Sequence, residues 1–422
     1  VGCLLILLPL FAIQIQGSTC TIAKFLNGFM ATVNRPSLFK LSRMGFKGWK
    51  PLLYQLPVLL LIPLLLLGWG WRVSTLAAQP GQIRTYYIAA DEVDWNYVPT
   101  GSNQITGLPF TDEEKVFVQA DRDRIGTTYR KAIYREYTDN SFTQLKPRAE
   151  DSQYLGLLGP VIRAEVGDTI RVEFKNNTHY PTSVHPHGVF YEKDSEGAPY
   201  QDGSDSVKVG NAVPPGGQHI YTWLVPERAG PGPHDPSSIL WMYHSHTNEV
   251  KDTYSGLIGP LIVTRQGFAK PDGSPQDVDR EVMTLLLVSD ENQSWYLDEN
   301  IRHSLEEAAE HLDIEDEEFE ESNLMHSING YVYGNMPMPV MKKGDRVRWY
   351  LLGMGTEVDL HTPHWHGNTG LMMGMRMDMV DLLPGDMKTI DFVPDNVGTW
   401  LFHCHVNDHI SAGMQARYRV VP

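Results

Sequence analysis

The tripeptide His403-Cys404-His405 sets two imidazoles and a thiol side by side in one short stretch, "LFHCHVNDHISAGMQ". The chain holds three cysteines, and the other two, Cys3 and Cys20, lie in an N-terminal region that reads as targeting sequence. In a mature chain without that region Cys404 has no disulfide partner. Three further pairs share the His-x-His spacing: His185 and His187, His244 and His246, His364 and His366. Side chains two apart on a strand point to the same face, so each pair aims two imidazoles one way. The four pairs use eight of the chain's 16 histidines, too regular a set for satisfied structural residues. Neutral imidazoles with no carboxylates at matching spacing suit copper or zinc rather than calcium or magnesium.

Parity gives Cys404 a different task from its neighbours. If His403 and His405 face one way, the thiol faces the other. There the sequence offers His409, Met414 and His361, the last of opposite parity to His364. Two histidines, a thiolate and a weak axial methionine make the blue-copper electron-transfer set. The thiolate would hold one copper while the flanking histidines hold others, a few bonds away along the backbone. The first half of the chain is an internal control. The same spacing puts Ser245 where Cys404 stands, Val250 for His409, Ser255 for Met414 and Thr182 for His361. Its His-x-His pairs remain, so it reads as a duplicated unit that kept only its share of a shared cluster.

The elements that must carry these residues are short β-rich runs, "TIRVEFKNN", "HIYTWLVP", "GLIGPLIVT", "RVRWYLLG" and "TWLFHCHV", separated by Gly, Pro, Asn and Asp. That spacing predicts an all-β sandwich or barrel. The internal repeat and the turn-rich "KPDGSPQD" divide the chain into an N-terminal region 1–83, a first domain 84–267, a linker 268–277 and a second domain 278–422. A helix is expected over "ENIRHSLEEAAEHL" (299–312), and the acidic run "DIEDEEFEE" after it reads as a solvated loop. The uncharged stretch 51–71 follows Arg43, Lys47 and Lys50 and precedes small residues before Gln79, the order of an export signal. Its 21 apolar residues could equally stay as a membrane anchor. Beyond residue 78 the chain carries 28 basic against 51 acidic side chains, a net of −23 that argues against nucleic acid and suits cations.

"HTPHWHG" and "HCHVNDHISAGM" resemble the signatures of multicopper oxidases, and 84–422 is similar to the ceruloplasmin branch through "ENQSWYLDENI", "DEEFEESNLMHSINGYVYGN", "YLLGMGTEVDLH" and "YHSHTNEVKDTYSGLIGPLIV". The resemblance implies two cupredoxin-like Greek-key domains and four coppers per functional unit. By that resemblance His361, Cys404, His409 and Met414 hold type 1 copper, and His185 and His364 hold type 2. His187, His244, His246, His366, His403 and His405 hold the type 3 pair. It also implies an iron site of Glu321, His326 and Asp408, with Glu357 completing the site of an adjacent unit. Hard carboxylates favour Fe(III), which fits oxidation of Fe(II) coupled to reduction of O2 to water. A chain with one two-domain unit is expected to close the family's ring as a homotrimer. The methionine-rich "GLMMGMRMDM" (370–379) departs from the family's text, reads first as core packing, and keeps a cuprous or laccase-like phenol oxidase as the alternative. A copper nitrite reductase is the more distant alternative, but it needs only one type 2 copper and leaves eight cluster histidines unexplained.

Overall fold

The computed structural model describes residues 81–203 and 208–422. The targeting or anchor segment expected over 51–71 lies outside them, and no described helix is long and apolar enough to cross a membrane. The described chain is mostly β, in four sheets. The first half contributes a five-stranded sheet in the order Thr128–Tyr137, Ile83–Asn96, Thr169–Asn176, Gln218–Leu224, Phe190–Tyr191. It also contributes a four-stranded sheet in the order Ile162–Glu165, Ile258–Thr264, Ser238–His244, His185–Pro186. The second half repeats the four-stranded sheet as Val340–Lys342, Gln415–Val421, Gly398–Cys404, Pro363–Trp365. Its larger sheet has six strands, Leu324–Ile328, Arg280–Asp290, Val347–Gly353, Met387–Phe392, Gly370–Met372 and Met375–Met377. In each half the larger sheet pairs its long first strand parallel to the third, Ile83 with Thr169 and Arg280 with Val347.

Alternation sets what each strand buries. In Thr169–Asn176 (TIRVEFKN) every second residue is fully buried, so Ile170, Val172 and Phe174 enter the core of the first half. The strand Val347–Gly353 is buried throughout, because its sheet is covered on both faces. One core joins Trp349, Trp365, Phe402, Cys404 and Met414 of the second half to Leu240, Met242 and Ile258 of the first. A smaller cluster docks the excursion 97–127 and the strand Thr128–Tyr137 onto the second half, with Tyr97, Tyr129 and Ile133 packed among Ile301, Phe319, Met325 and Tyr333. Polar ties reinforce that contact. Lys131 is paired with Glu291, the Tyr97 hydroxyl donates to the same carboxylate at 2.5 Å, and the Tyr129 hydroxyl donates to Asn323 at 2.8 Å.

Two local expectations need correction. The helix expected over 299–312 runs over Leu297–Leu305 and then tightens into a 3-10 turn, Glu306–His311. Glu306 sits at φ 47°, which an α-helix cannot continue through. The acidic run is not all loop, for Glu317–Ser322 is helical. Asp316 caps it by accepting from the Glu318 and Phe319 N–H groups, and Phe319 is buried underneath.

Candidate metal centres

The two His-x-His elements of each half come together by strand pairing. His185 lies opposite His244 in the antiparallel pair formed by His185–Pro186 and Ser238–His244. His364 lies opposite His403 in the pair formed by Pro363–Trp365 and Gly398–Cys404. The strands end at Pro186, His244, Trp365 and Cys404, so His187, His246, His366 and His405 stand just beyond them. They still converge. The His187 and His244 Nε2 atoms are 3.1 Å apart, and the His246 ring lies 5.2 Å from His185 and 5.5 Å from His244. In the second half the His366 and His403 Nε2 atoms are 3.1 Å apart, and the His405 ring lies 4.9 Å from His364 and 4.8 Å from His403. Among the described residues every ring contact of these eight histidines stays within its own half.

The glycine that follows each first pair has a steric reason. Gly188 and Gly367 have φ of 78° and 73°, and a Cβ on them would meet the rings of Trp241 at 2.2 Å and Trp400 at 2.5 Å. The chain therefore turns sharply after His187 and His366 with an indole packed on the turn. Burial keeps His187, His244 and His403 neutral, the form that binds metals. It holds His187 down at about 4 and His244 at about 3, with neighbouring histidines adding to the shift. Burial likewise lowers His403 to about 4, against a hydrogen bond from its Nδ1 to the Cys404 carbonyl.

Cys404 is fully buried and turned the other way from His403. Its Sγ lies 3.6 Å from His409 Nδ1 and 4.0 Å from His361 Nδ1, and those two nitrogens are 3.1 Å apart. The Thr362 and Val406 N–H groups donate to the sulfur, each at 3.4 Å. Burial pushes the thiol up, yet these histidines and amides outweigh it and bring it down to about 5, so it is a thiolate at neutral pH. Met414 is buried in the same core and held in register, the Cys404 N–H donating to its carbonyl at 3.1 Å and its own N–H donating to the His409 carbonyl at 2.8 Å. Asp359 went unnoticed in the sequence, although it stands two residues before His361. Fully buried, it lies 3.2 Å from His361 Nε2 and fixes that ring with Nδ1 toward the sulfur.

The first half fills the matching space with hydrogen bonds. Ser245 Oγ accepts from the Ser183 N–H at 3.0 Å and donates to buried Asp252 at 2.6 Å, which also accepts from Trp295 Nε1 at 2.8 Å. Thr182, at the position matching His361, is buried with its hydroxyl unpaired.

His326 lies beside the thiolate centre, and Glu321 lies near Asp408, the residue before His409. The His326 ring is 5.1 Å from that of His409, and its Nδ1 is buried without a hydrogen-bond partner. Burial, then His409 and His361, push His326 down to about 3. Glu321 is raised, by burial and then by the nearby Asp408 carboxylate. Among the described residues these three do not close into a group with ligand atoms within 4.8 Å of one another, as the histidine and thiolate sets do. Phe117, from the short helix Lys115–Val118 of the first half, packs edge-on over His326 at 5.8 Å, a contact with no signal in the sequence. Glu357 is not brought to these residues, for it lies exposed on the loop after Val347–Gly353, near Tyr254.

The expectation of core packing for the five methionines of 370–379 also needs correction. Met372 and Met377 pack against the core, but Met373, Met375 and Met379 are 68%, 59% and 44% exposed. The hairpin Gly370–Met372 and Met375–Met377 forms the outer edge of its sheet.

Family models described as multicopper oxidase match residues 154–267 and 306–422. The chain belongs to the multicopper oxidase family. Within that family it falls in the ceruloplasmin-like branch. It is 46% identical to human hephaestin over 345 residues, 81% of this chain and 29% of that protein. It is 46% identical to human ferroxidase HEPHL1 over 341 residues, 80% of this chain and 29% of that protein. With rat ceruloplasmin it shares 43% identity over 345 residues, 81% of this chain and 32% of that protein. The chain thus spans about a third of the length of the curated relatives it matches. Two solved multicopper oxidase structures share its fold at a TM-score of 0.50, one 16% identical and covering 80% of this chain and 89% of its own. The other, mgLAC, is 20% identical and covers 81% of this chain and 88% of its own. Three groups of donors fit the family's metal: His185, His187 and His244; His364, His366 and His403; and His361, Cys404 and His409. In each group the ligand atoms lie within 4.8 Å of one another.

Proposed function

We propose that this multicopper oxidase is a ferroxidase, exported from the cell, with cupredoxin-like domains over 84–267 and 278–422. In this reading His361, Cys404, His409 and Met414 hold type 1 copper. His185 and His364 hold type 2, and His187, His244, His246, His366, His403 and His405 hold the type 3 pair. Four coppers bound there would take electrons singly from a donor and deliver four of them to O2, giving water. The observation that carries the reading is the peptide unit between His403 and Cys404. One residue reaches the half-set of histidines and the next reaches the thiolate centre, so the two are joined covalently.

The residues of the chain have distinct tasks in this reading. The amides of Thr362 and Val406 and the ring held by Asp359 keep the sulfur a thiolate. Glu321, Asp408 and His326 bind Fe(II) as substrate. Their hard oxygens favour the ferric product, and Asp408 adjoins His409 in the chain. Glu357, exposed on its loop, completes the iron site of a neighbouring unit. Each half presents four histidines that meet no counterpart from the other half, which supports a cluster completed by a second copy in a homotrimer. Tethering through 51–71 is part of the same proposal.

The test compares oxygen uptake driven by Fe(II), Cu(I) and a phenol in the parent chain and in a Glu321→Ala, Asp408→Ala variant. A ferroxidase loses catalytic efficiency on Fe(II) alone, with copper content, blue colour and water as product retained. Equal losses on all donors, or intact iron oxidation, would overturn the iron reading. One or two coppers per chain with nitrite turnover would overturn the oxidase itself. The exposed methionines favour Cu(I) as the second reading, and preferential loss on Fe(II) rules it out as the main one.

A further inference from the structure

We infer that the hairpin Gly370–Met377 carries a separate site for a soft monovalent cation, Cu(I), built from the thioethers of Met372, Met375 and Met377. The register decides which side chains share a face. Met372 is directly opposite Met375, and Gly370 is opposite Met377. Residues opposite one another across an antiparallel pair point the same way, as do residues two apart along a strand. Met372, Met375 and Met377 therefore lie on one face, and Leu371 and Arg376 lie on the other, where Arg376 Nη1 donates to Thr369 Oγ1 at 3.0 Å. The only charged side chain within the two strands is thus kept off the thioether face.

Core packing explains Met372 and Met377 but not Met375, which is mostly exposed at the edge of the sheet. The turn between the strands, Met373-Gly374, has φ of 52° and 80°, the left-handed turn that closes a two-residue hairpin tightly. The tight closure sets Met372 and Met375 as neighbours, about 5 Å apart at Cβ, within the span of two thioethers on one ion. Three neutral, polarisable sulfurs select Cu(I) over Fe(II), whose preference is for harder donors. Thioethers do not protonate, so this site binds independently of pH across the range in which the histidine sets titrate. The hairpin leads directly to Met379, whose backbone bridges to His364, while the Trp365 N–H donates to the Asp378 carbonyl at 2.9 Å. The hairpin is therefore hydrogen-bonded, through the backbone just after it, to the strand that carries one histidine half-set, a position suited to delivering copper to it.

The experiment uses Ag(I), a redox-inert stand-in for Cu(I), and protein carrying 13C-methyl methionine. The full chain is titrated both copper-free and copper-loaded, so the result does not depend on the oxidase reading. The methyl signals of Met372, Met375 and Met377 are expected to shift together with one equivalent, at the same affinity near pH 5.5 and pH 7.5. That of Met414 should respond only in the copper-free protein. Met372→Leu, Met375→Leu, Met377→Leu together conserve volume and should leave thermal unfolding unchanged while removing that equivalent. Met375→Leu alone, at the exposed position, should weaken it about tenfold or more. The proposal is overturned if the three methyls do not move together, or if the triple variant binds as many Ag(I) as the parent.

Discussion

Substitution of Lys131 by Met tests what holds the two halves together. Lys131 of the first half and Glu291 of the second are both fully buried, and the ammonium also donates to the Tyr254 carbonyl at 2.7 Å. The second carboxylate oxygen of Glu291 has no partner, so removing the lysine leaves only the Tyr97 hydroxyl to serve the charge. A buried carboxylate in that position escapes by taking up a proton. With an ordinary value of 4.5 for Glu, protonation near pH 7 costs about 3.4 kcal/mol, which bounds the charge penalty. Loss of the bond to the Tyr254 carbonyl adds about 1 kcal/mol. Lys131→Met should therefore cost about 3–4.5 kcal/mol near pH 7, in line with buried pairs broken on one side. The sign of the pH dependence follows from the direction of the shift. Glu291 is held above its ordinary value by burial, so the folded variant binds a proton that the unfolded chain releases above 4.5. Its stability is greatest at acid pH and drains away as pH rises, by up to about 1.4 kcal/mol per unit, and near pH 5 the charge penalty shrinks to about 0.7 kcal/mol. Urea unfolding at several pH values measures this, and Lys131→Met with Glu291→Gln should recover most of the loss and flatten the profile. A cost under about 1 kcal/mol, or one that does not change between pH 5 and 7, would refute the buried charge as the source.

Other expectations follow from single contacts. Cys404→Ser should abolish the intense visible absorbance and remove about one copper per chain, while the histidine half-sets keep theirs. Asp359→Asn withdraws a buried negative charge from behind His361, so the reduction potential of the blue centre should rise in a redox titration, with its copper retained. Gly367→Ala forces a Cβ into the Trp400 ring at a left-handed turn, and should lower the copper held at His364 and His366 while sparing the visible band. Asp252→Ala strips the partner from Ser245 of the first half and Trp295 of the second, and should cost about 2–3 kcal/mol in unfolding with no spectroscopic change.

Much of the candidate site was legible because metal ligands leave a mark in residue type and spacing. The four His-x-His pairs, the lone thiol among them and the missing ligands of the first half are all visible as text, and short strands between turn residues indicated a mostly β chain. Other parts were not, since they depend on contacts between distant segments. Nothing around Phe117 announces that it packs on His326, some two hundred residues further on. Nothing marks Lys131 and Glu291 as a pair, for a lysine on an alternating strand reads as solvent-facing. The methionines of 370–379 misled because alternation reports a shared face but not whether that face is covered.

The sequence alone determined the chemistry on offer: which imidazoles travel in pairs, which residue carries the single thiol of the described chain, and which half lacks its partners. These are properties of residue identity and of the two-residue repeat of a strand, and both are local. Only the tertiary structure decided three further matters. It turned Cys404 to His361 and His409 while His403 met His364 and His366. It set buried Asp359 behind His361, and it left the two histidine half-sets apart. Each of these is fixed by long-range packing of sheet on sheet, where burial sets the cost of every charge and the register sets which donors can meet.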